Sequence, residues 1–268
     1  MTEERAQIGG GGTADRFRVD VLGRFAVGVP RTGESLAVPP GLPSVAVKLV
    51  VANGGRAHVE AVMEALWPES SPAEGRKGVR NVLSRLARAG VPLLVRDGEA
   101  IRLADEVRVD AFAFRSLADR VLTGAEEGDA ALGARRALAI YQGPFLPDDC
   151  YLDWTETPRH QLRRRQVALL DLLAADANRR GELMEAVHLL ELALEADPLD
   201  DVRYLELAEL LLAAGRRGRA AEMVDRSRQV LRDHGLLPGA AWARLQRELH
   251  QTRRASARAI GRSVDSAS

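Results

Sequence analysis

Lysine is almost missing from this chain. Of its 38 basic residues only Lys48 and Lys77 are lysine, which is read as a GC-rich coding bias rather than a device. Cysteine is represented by Cys150 alone, so no intrachain disulfide can form, and a reducing cytoplasm is the expected setting. Aromatic residues make up 4%. No stretch approaches the roughly 18 uncharged apolar residues of a membrane span. Residues 1–15 carry charges and the run Gly9-Gly10-Gly11-Gly12 but no apolar core segment, which argues against a signal peptide and for a flexible tail. Net charge is also absent: 38 basic residues balance 38 acidic ones. That excludes a uniformly basic chromatin-type protein, though not a local basic face.

What is present is alanine, leucine and arginine, a mixture that favours helix. With 268 residues, 46% of them hydrophobic, two domains with sizeable cores are expected. The charge is unevenly spread. Residues 182–211 hold nine carboxylates and a single Lys or Arg, Arg203, whereas residues 16–106 and 212–268 are net basic. Such blocks point to separate surfaces with separate partners, or to ordinary solvated helix faces.

In the first half, Phe17–Gly23, Phe25–Val29 and Leu36–Val38 alternate around turns and predict a small antiparallel sheet, closed by Pro39-Pro40. A helix over Val45–Asn53 is expected, capped by Ser44 and stopped at Gly54-Gly55. His58–Trp67 carries apolar residues at i, i+3, i+4 and i+7, and a third helix follows over Ala73–Ala89. Two apolar runs, Pro92–Arg96 and Glu99–Leu103, then flank Asp97-Gly98 as a hairpin would. Sheet, three helices and hairpin in that order describe a winged helix over residues 16–106.

The third helix carries the candidate chemistry. On a helical wheel Val79, Val82, Leu83 and Leu86 share one side. Lys77, Asn81, Ser84 and Arg88 lie opposite, Arg80 and Arg85 on the flanks and Arg76 near the start. Residues 74–90 hold five cations against Glu74 alone. Arg and Lys can pair with guanine O6/N7, Asn with adenine N6/N7, and Ser and Arg with phosphates. The position directly before a wing favours a duplex-reading helix over a merely solvated one. Arg96 and Arg102, beside the wing turn, suit either a backbone or minor-groove contact or plain solvation.

From Val107 the pattern becomes helical only. Helices are expected over Phe112–Leu122, Ala130–Tyr141, Thr157–Arg180, Glu182–Ala196, Asp200–Ala214, Arg219–His234 and Ala240–Gln251, with Gly143–Pro147 as a rigid linker. Gly181 and Gly215 stand 34 residues apart, and so do Ala186 and Ala220. That is the period of tetratricopeptide helix pairs, which stack to leave a concave face for a protein partner. The fold class is therefore mainly α with a small β component, a winged helix-turn-helix followed by an all-α tetratricopeptide-like domain over 107–251. Residues 252–268, with Arg253, Arg254, Arg258 and Arg262, read as a disordered basic tail.

Five segments in order resemble the Streptomyces antibiotic regulatory protein family, over about residues 16–250. Ala65-Leu66-Trp67-Pro68 resembles its "alWp", and Val79–Leu86 its recognition-helix pattern "lRnaLsrL". Val109-Asp110-Ala111-Phe112 resembles the opening of its activation domain, Tyr141–Leu146 its "lyrGpfL", and Gly235-Leu236-Leu237-Pro238 its "lGieP". The chain departs from the pattern at Ala87, where Arg is frequent, and at Arg226, whose counterpart 34 residues earlier is Leu192. The resemblance implies an OmpR-like winged helix joined to a bacterial transcriptional activation domain. It also implies a homodimer on promoter direct repeats and recruitment of RNA polymerase holoenzyme through its sigma factor and other subunits. Larger relatives carry nucleotide-binding and sensor domains, which are not expected in this sequence, where no Walker-type loop is visible.

No cofactor, metal or catalytic constellation is expected. His58, His160, His188, His234 and His250 are scattered without ligand spacing, and Cys150 has no histidine partner. Trp67, Trp154 and Trp242 read as core or interface anchors, and the run Arg159, Arg163, Arg164, Arg165 as a solvated face in preference to an addition to the DNA footprint. The alternatives are a tetratricopeptide-type adaptor whose winged helix does not bind DNA, and an enzyme with its site between the halves. The second lacks convergent acid, base or nucleophile groups.

Overall fold

The computed structural model describes residues 16–126 and 128–235. They form two compact units. One comprises the described residues up to Arg120 together with Arg136–Arg163, the other Val121–Arg135 together with the residues from Arg164 onward. The fold is mainly helical with a small β component, as the sequence predicts. The helix expected over Ala240–Gln251, the Leu236–Pro238 part of the closing motif, Trp242, His250 and both tails lie outside the described residues.

In the first unit β1 (Phe17–Asp20) pairs with β2 (Ala26–Gly28), and β2 with β3 (Ser35–Leu36), both antiparallel. Phe17 and Val19 are buried while Arg18 is exposed, the period-two alternation of a strand. The sheet is not purely antiparallel, and the chain after Val107 is not purely helical. β7 (Val107–Val109) pairs parallel to β1 with Val19 opposite Val109. Three residues are too few for a periodicity to announce them.

Helix α1 (Leu42–Ala52) starts earlier than predicted. Pro43 takes a first-turn position and Gly41 the cap, so Ser44 lies within the helix. β4 (Arg56–His58) precedes α2 (Val59–Leu66). His58 is the last strand residue and caps the helix, its Nδ1 accepting the Glu60 N–H at 3.3 Å. α3 spans Pro72–Arg88. β5 (Leu94–Asp97) and β6 (Ala100–Leu103) form the wing, and β4 joins them in the order β4-β6-β5. With Asp97 opposite Ala100, the turn residues are Gly98-Glu99 rather than Asp97-Gly98. Only Gly98 has positive φ (60°), as in hairpins with glycine at the first turn position.

The segment Gly143–Pro147, expected as a rigid linker, is a packed element of the first unit. Phe145 and Leu146 are buried at 1% exposure, and Phe145 bridges to Leu22. Gly23 donates to the Pro144 carbonyl at 2.9 Å and Leu146 to the Val21 carbonyl at 2.8 Å. A Cβ on Gly143 would stand 2.9 Å from the Cα of Gly23, so the two backbones touch. Arg159, expected in solvent, donates to the carbonyls of Phe145 and Leu146 at 3.0 and 2.9 Å. It comes from the start of α6 (Glu156–Arg179). Helices α4 (Asp110–Leu122) and α5 (Ala130–Ile140) lie earlier in the chain.

In the second unit α7 (Leu183–Ala196), α8 (Asp201–Ala213) and α9 (Arg217–Asp233) follow one another. The 34-residue period is visible in the backbone. Gly181 and Glu182 donate to the carbonyls of Asn178 and Ala177, and Gly215 and Arg216 to those of Leu212 and Leu211. Both are helix stops with a left-handed glycine, φ 78° and 72°. Ala186 and Ala220 are each fully buried, which lets the helices pack closely. Leu192 is half-buried and Arg226 exposed, so the irregular repeat position lies outside the core.

Candidate nucleic-acid interface

Helix α3 is built to stand by itself at its start. Ser71 caps it and Glu74 reaches back, with the Ser71 N–H donating to the Glu74 carboxylate at 3.0 Å. Those Ser71 hydrogen bonds hold the Glu74 carboxyl below its usual range. Pro72 fills the first turn. Gly90 and Val91 stop the helix by donating to the carbonyls of Ala87 and Leu86.

Its aliphatic stripe faces inward. Val79, Val82 and Leu86 are buried, Leu86 completely, and Leu83 is half-buried. The Trp67 ring lies directly over Gly78: a Cβ there would stand 2.7 Å from the indole Cζ2. This is the physical role of Trp67 in the Ala65–Pro68 motif.

Opposite the stripe Lys77, Arg80, Asn81, Arg85 and Arg88 are exposed, with Ser84 half-buried among them. Among the described residues Arg80, Arg85 and Arg88 make no ion pair, and the Asn81 side chain makes no hydrogen bond. Lys77 lies near Glu74. These side chains share one helix of 17 residues, about 25 Å long at 1.5 Å per residue.

The three remaining candidates are engaged on the wing side. Arg76 Nη1 lies 3.2 Å from Glu99 Oε2, and Arg96 Nη2 lies 3.4 Å from Glu99 Oε1. Arg96 Nε also donates to the Gly98 carbonyl at 2.9 Å. Arg102 pairs with Asp105 at 2.6 Å and stands 3.9 Å from Asp97. The Arg76 hydrogen bond and charge, with Arg96 and His58 adding, hold the Glu99 carboxyl below its usual range. Arg56 does the same to Asp97. The sequence shows neither Arg56 nor the two wing carboxylates as members of this cluster, because β4 leaves no pattern of its own.

Among the described residues no three His, Cys, Asp or Glu side chains gather as a metal site. No helix there is long and apolar enough to cross a membrane.

A winged helix with an exposed cationic third helix, in a chain that continues into tetratricopeptide-like helices, defines a class of transcription regulator. Residues 109–250 match the bacterial transcriptional activator domain, and the chain belongs to that family. It is a regulator of the Streptomyces antibiotic regulatory protein type. Over 246 residues it is 29% identical to the regulatory protein AfsR of Streptomyces coelicolor, covering 88% of this chain and 24% of that one. The chain thus spans about a quarter of the length of that curated relative. In fold it resembles Mycobacterium tuberculosis EmbR, solved in complex with a low-affinity phosphopeptide. The TM-score is 0.67 at 20% identity, covering 88% of this chain and 65% of that one.

Proposed function

We propose that this chain is a sequence-specific DNA-binding transcriptional activator that reads promoter DNA with α3. The observation that carries the reading is the division of α3: its aliphatic stripe is buried, while Arg80, Asn81, Arg85 and Arg88 face outward without partners among the described residues. A helix so divided can enter a major groove about 12 Å wide without disturbing its own core. Arg80 and Asn81 supply base pairing. Lys77, Ser84, Arg85 and Arg88 supply phosphate contacts, and Arg76, Arg96 and Arg102 stand beside them at the wing side, each paired with a carboxylate. Residues 16–106 are the DNA-binding part and 107–251 the activation domain. The family resemblance supports a homodimer on direct repeats, which recruits RNA polymerase holoenzyme while the protein is bound to the nucleoid. The acidic stretch 182–211 suits a protein partner in that assembly.

Footprinting on the promoter beside its own gene tests this. Wild type protects a site with affinity that falls steeply with salt. Arg80→Ala and Asn81→Ala each weaken it about 5- to 150-fold, from ~1–3 kcal/mol per base contact, while the circular dichroism spectrum stays unchanged. A double variant that protects the site as well as wild type overturns the assignment of α3. Absence of salt-sensitive binding favours the adaptor reading.

A further inference from the structure

Glu99 occupies a position with the chemistry of a DNA phosphate. Each of its two carboxylate oxygens takes one guanidinium, Arg76 from α3 and Arg96 from β5, at 3.2 and 3.4 Å. Its side chain is 59% exposed, so the anion sits at the surface where α3 meets the wing. The rest of the wing is neutralised in the same way. Asp97 binds Arg56 and stands near Arg102, and Asp105 binds Arg102. The outer edge of α3 contrasts with this, since Arg80, Arg85 and Arg88 have no carboxylate partner among the described residues.

We propose that Glu99 is an internal phosphate surrogate that withholds Arg76 and Arg96 from DNA and thereby limits the affinity of the winged helix. The proposal rests on the DNA-binding reading of α3. A carboxylate between two arginines at a duplex-facing surface acts twice. It satisfies both guanidinium groups, and its own charge repels the phosphate that would replace it. Exposed ion pairs of this kind are weak and exchangeable, so the contact tunes binding and contributes little to folding. The wing then contributes shape, and the phosphate contacts come from Lys77, Ser84, Arg85 and Arg88.

Salt dependence gives the test, because each phosphate neutralised contributes about −0.9 to the slope of log K against log salt. DNA affinity of the full chain is measured by fluorescence anisotropy from 50 to 300 mM salt, on a promoter fragment and on a random duplex. Glu99→Gln keeps the size of the side chain and removes its charge. It is expected to tighten binding about tenfold near 0.1 M salt and to steepen the slope by about two, on both duplexes. Arg96→Ala in the Glu99→Gln background removes about half of that gain. Matching thermal melts exclude an effect through folding. Unchanged or weakened binding by Glu99→Gln overturns the proposal, since it makes Glu99 a bystander or a positioning group. A gain that survives Arg96→Ala in full overturns it as well. A wild-type chain with no salt-sensitive binding to either duplex removes the DNA-binding reading itself, a result distinct from failure of the Glu99 variant alone.

Discussion

The Nζ of Lys48 lies 2.6 Å from Oδ2 of Asp149, and both side chains are nearly buried, at 13% and 8% exposure. The ammonium also sits 4.9 Å from the centroid of the Phe25 ring. One of only two lysines in the chain thus ties α1 to the short turn Pro147–Asp149, 101 residues away. Removing one partner strands a charge in a low-dielectric site. Asp149→Leu or Lys48→Met should therefore destabilise the first unit by about 3 kcal/mol. The double variant Lys48→Met with Asp149→Leu should recover much of that loss, because two apolar groups leave no unpaired charge. Urea unfolding of the four proteins in a double-mutant cycle checks it. Additive losses would show that the two residues do not act as a pair.

Gly78 separates space from helix propensity. Alanine is worth about 1 kcal/mol more than glycine within a helix. At this position, however, its Cβ would meet the Trp67 ring at 2.7 Å, and over-packing of that kind costs roughly 1–3 kcal/mol. Gly78→Ala should be net destabilising by about 1 kcal/mol. Gly218→Ala, in α9 with nothing within 4 Å of its Cβ, should stabilise by about 0.5 kcal/mol. Thermal melts giving the same sign for both would mean that Trp67 moves aside freely.

The division of α3 was legible because seventeen residues give the helical period room to separate Val79, Val82 and Leu86 from Arg80, Asn81 and Arg88. The 34-residue repeat was legible for a related reason, since it is written in glycines whose left-handed turns recur in the backbone. β4 and β7 were not, being three residues each and defined by partners far along the chain. The Gly143–Pro147 segment has the punctuation of a linker, yet its glycine serves a backbone contact with Gly23 and its Phe and Leu fill the core. Nor does any local pattern foretell that Arg76 meets a carboxylate 23 residues later. Ion pairs between exposed residues follow from the placement of whole elements.

Asp110 gives the first unit a pH dependence of defined sign. Its carboxylate accepts the N–H groups of Val21, Leu22 and Ala111 at 3.0, 3.0 and 2.6 Å. Burial nevertheless outweighs these donors and, with Asp20 adding, pushes the carboxyl up to about 6. A carboxyl raised from 3.8 in the unfolded chain binds its proton more tightly when folded. Its contribution to stability therefore grows as pH falls through 6 toward 4 and is lost above 6. The side-chain amide of the Asp110→Asn variant does not titrate in this range. The stability of wild type minus that of Asp110→Asn should rise by about 1 kcal/mol between pH 7 and pH 5. Parallel melting curves of the two proteins across that range would place the carboxyl in its ordinary range.

Arg203 is the one arginine or lysine within 182–211, and it holds the surrounding acids together. Its guanidinium is 8% exposed and grips Asp171 with two bonds, Nε at 2.8 Å and Nη2 at 3.0 Å. Asp200 lies at 3.1 Å and Asp197 at 3.9 Å, and Asp200 also caps α8 by accepting the Arg203 N–H. Burial pushes the Glu206 carboxyl up, and Asp171 and Asp200 push it further while Arg203 opposes them. Arg203→Met keeps the aliphatic bulk and removes the charge, leaving carboxylates that face one another across a groove also lined by Leu190 and Leu210. The second unit should lose about 3 kcal/mol at pH 7. The deficit should shrink near pH 4, because the Glu206 carboxyl, raised by burial and no longer opposed by Arg203, takes up a proton and ceases to repel its neighbours. Arg203→Lys should recover less than half, because an ammonium cannot reproduce the two-bond fork to Asp171. Hydrogen exchange of the α7–α9 amides at both pH values reads this directly. A deficit that stays constant with pH would mean that packing of the side chain, and not its charge, organises the groove.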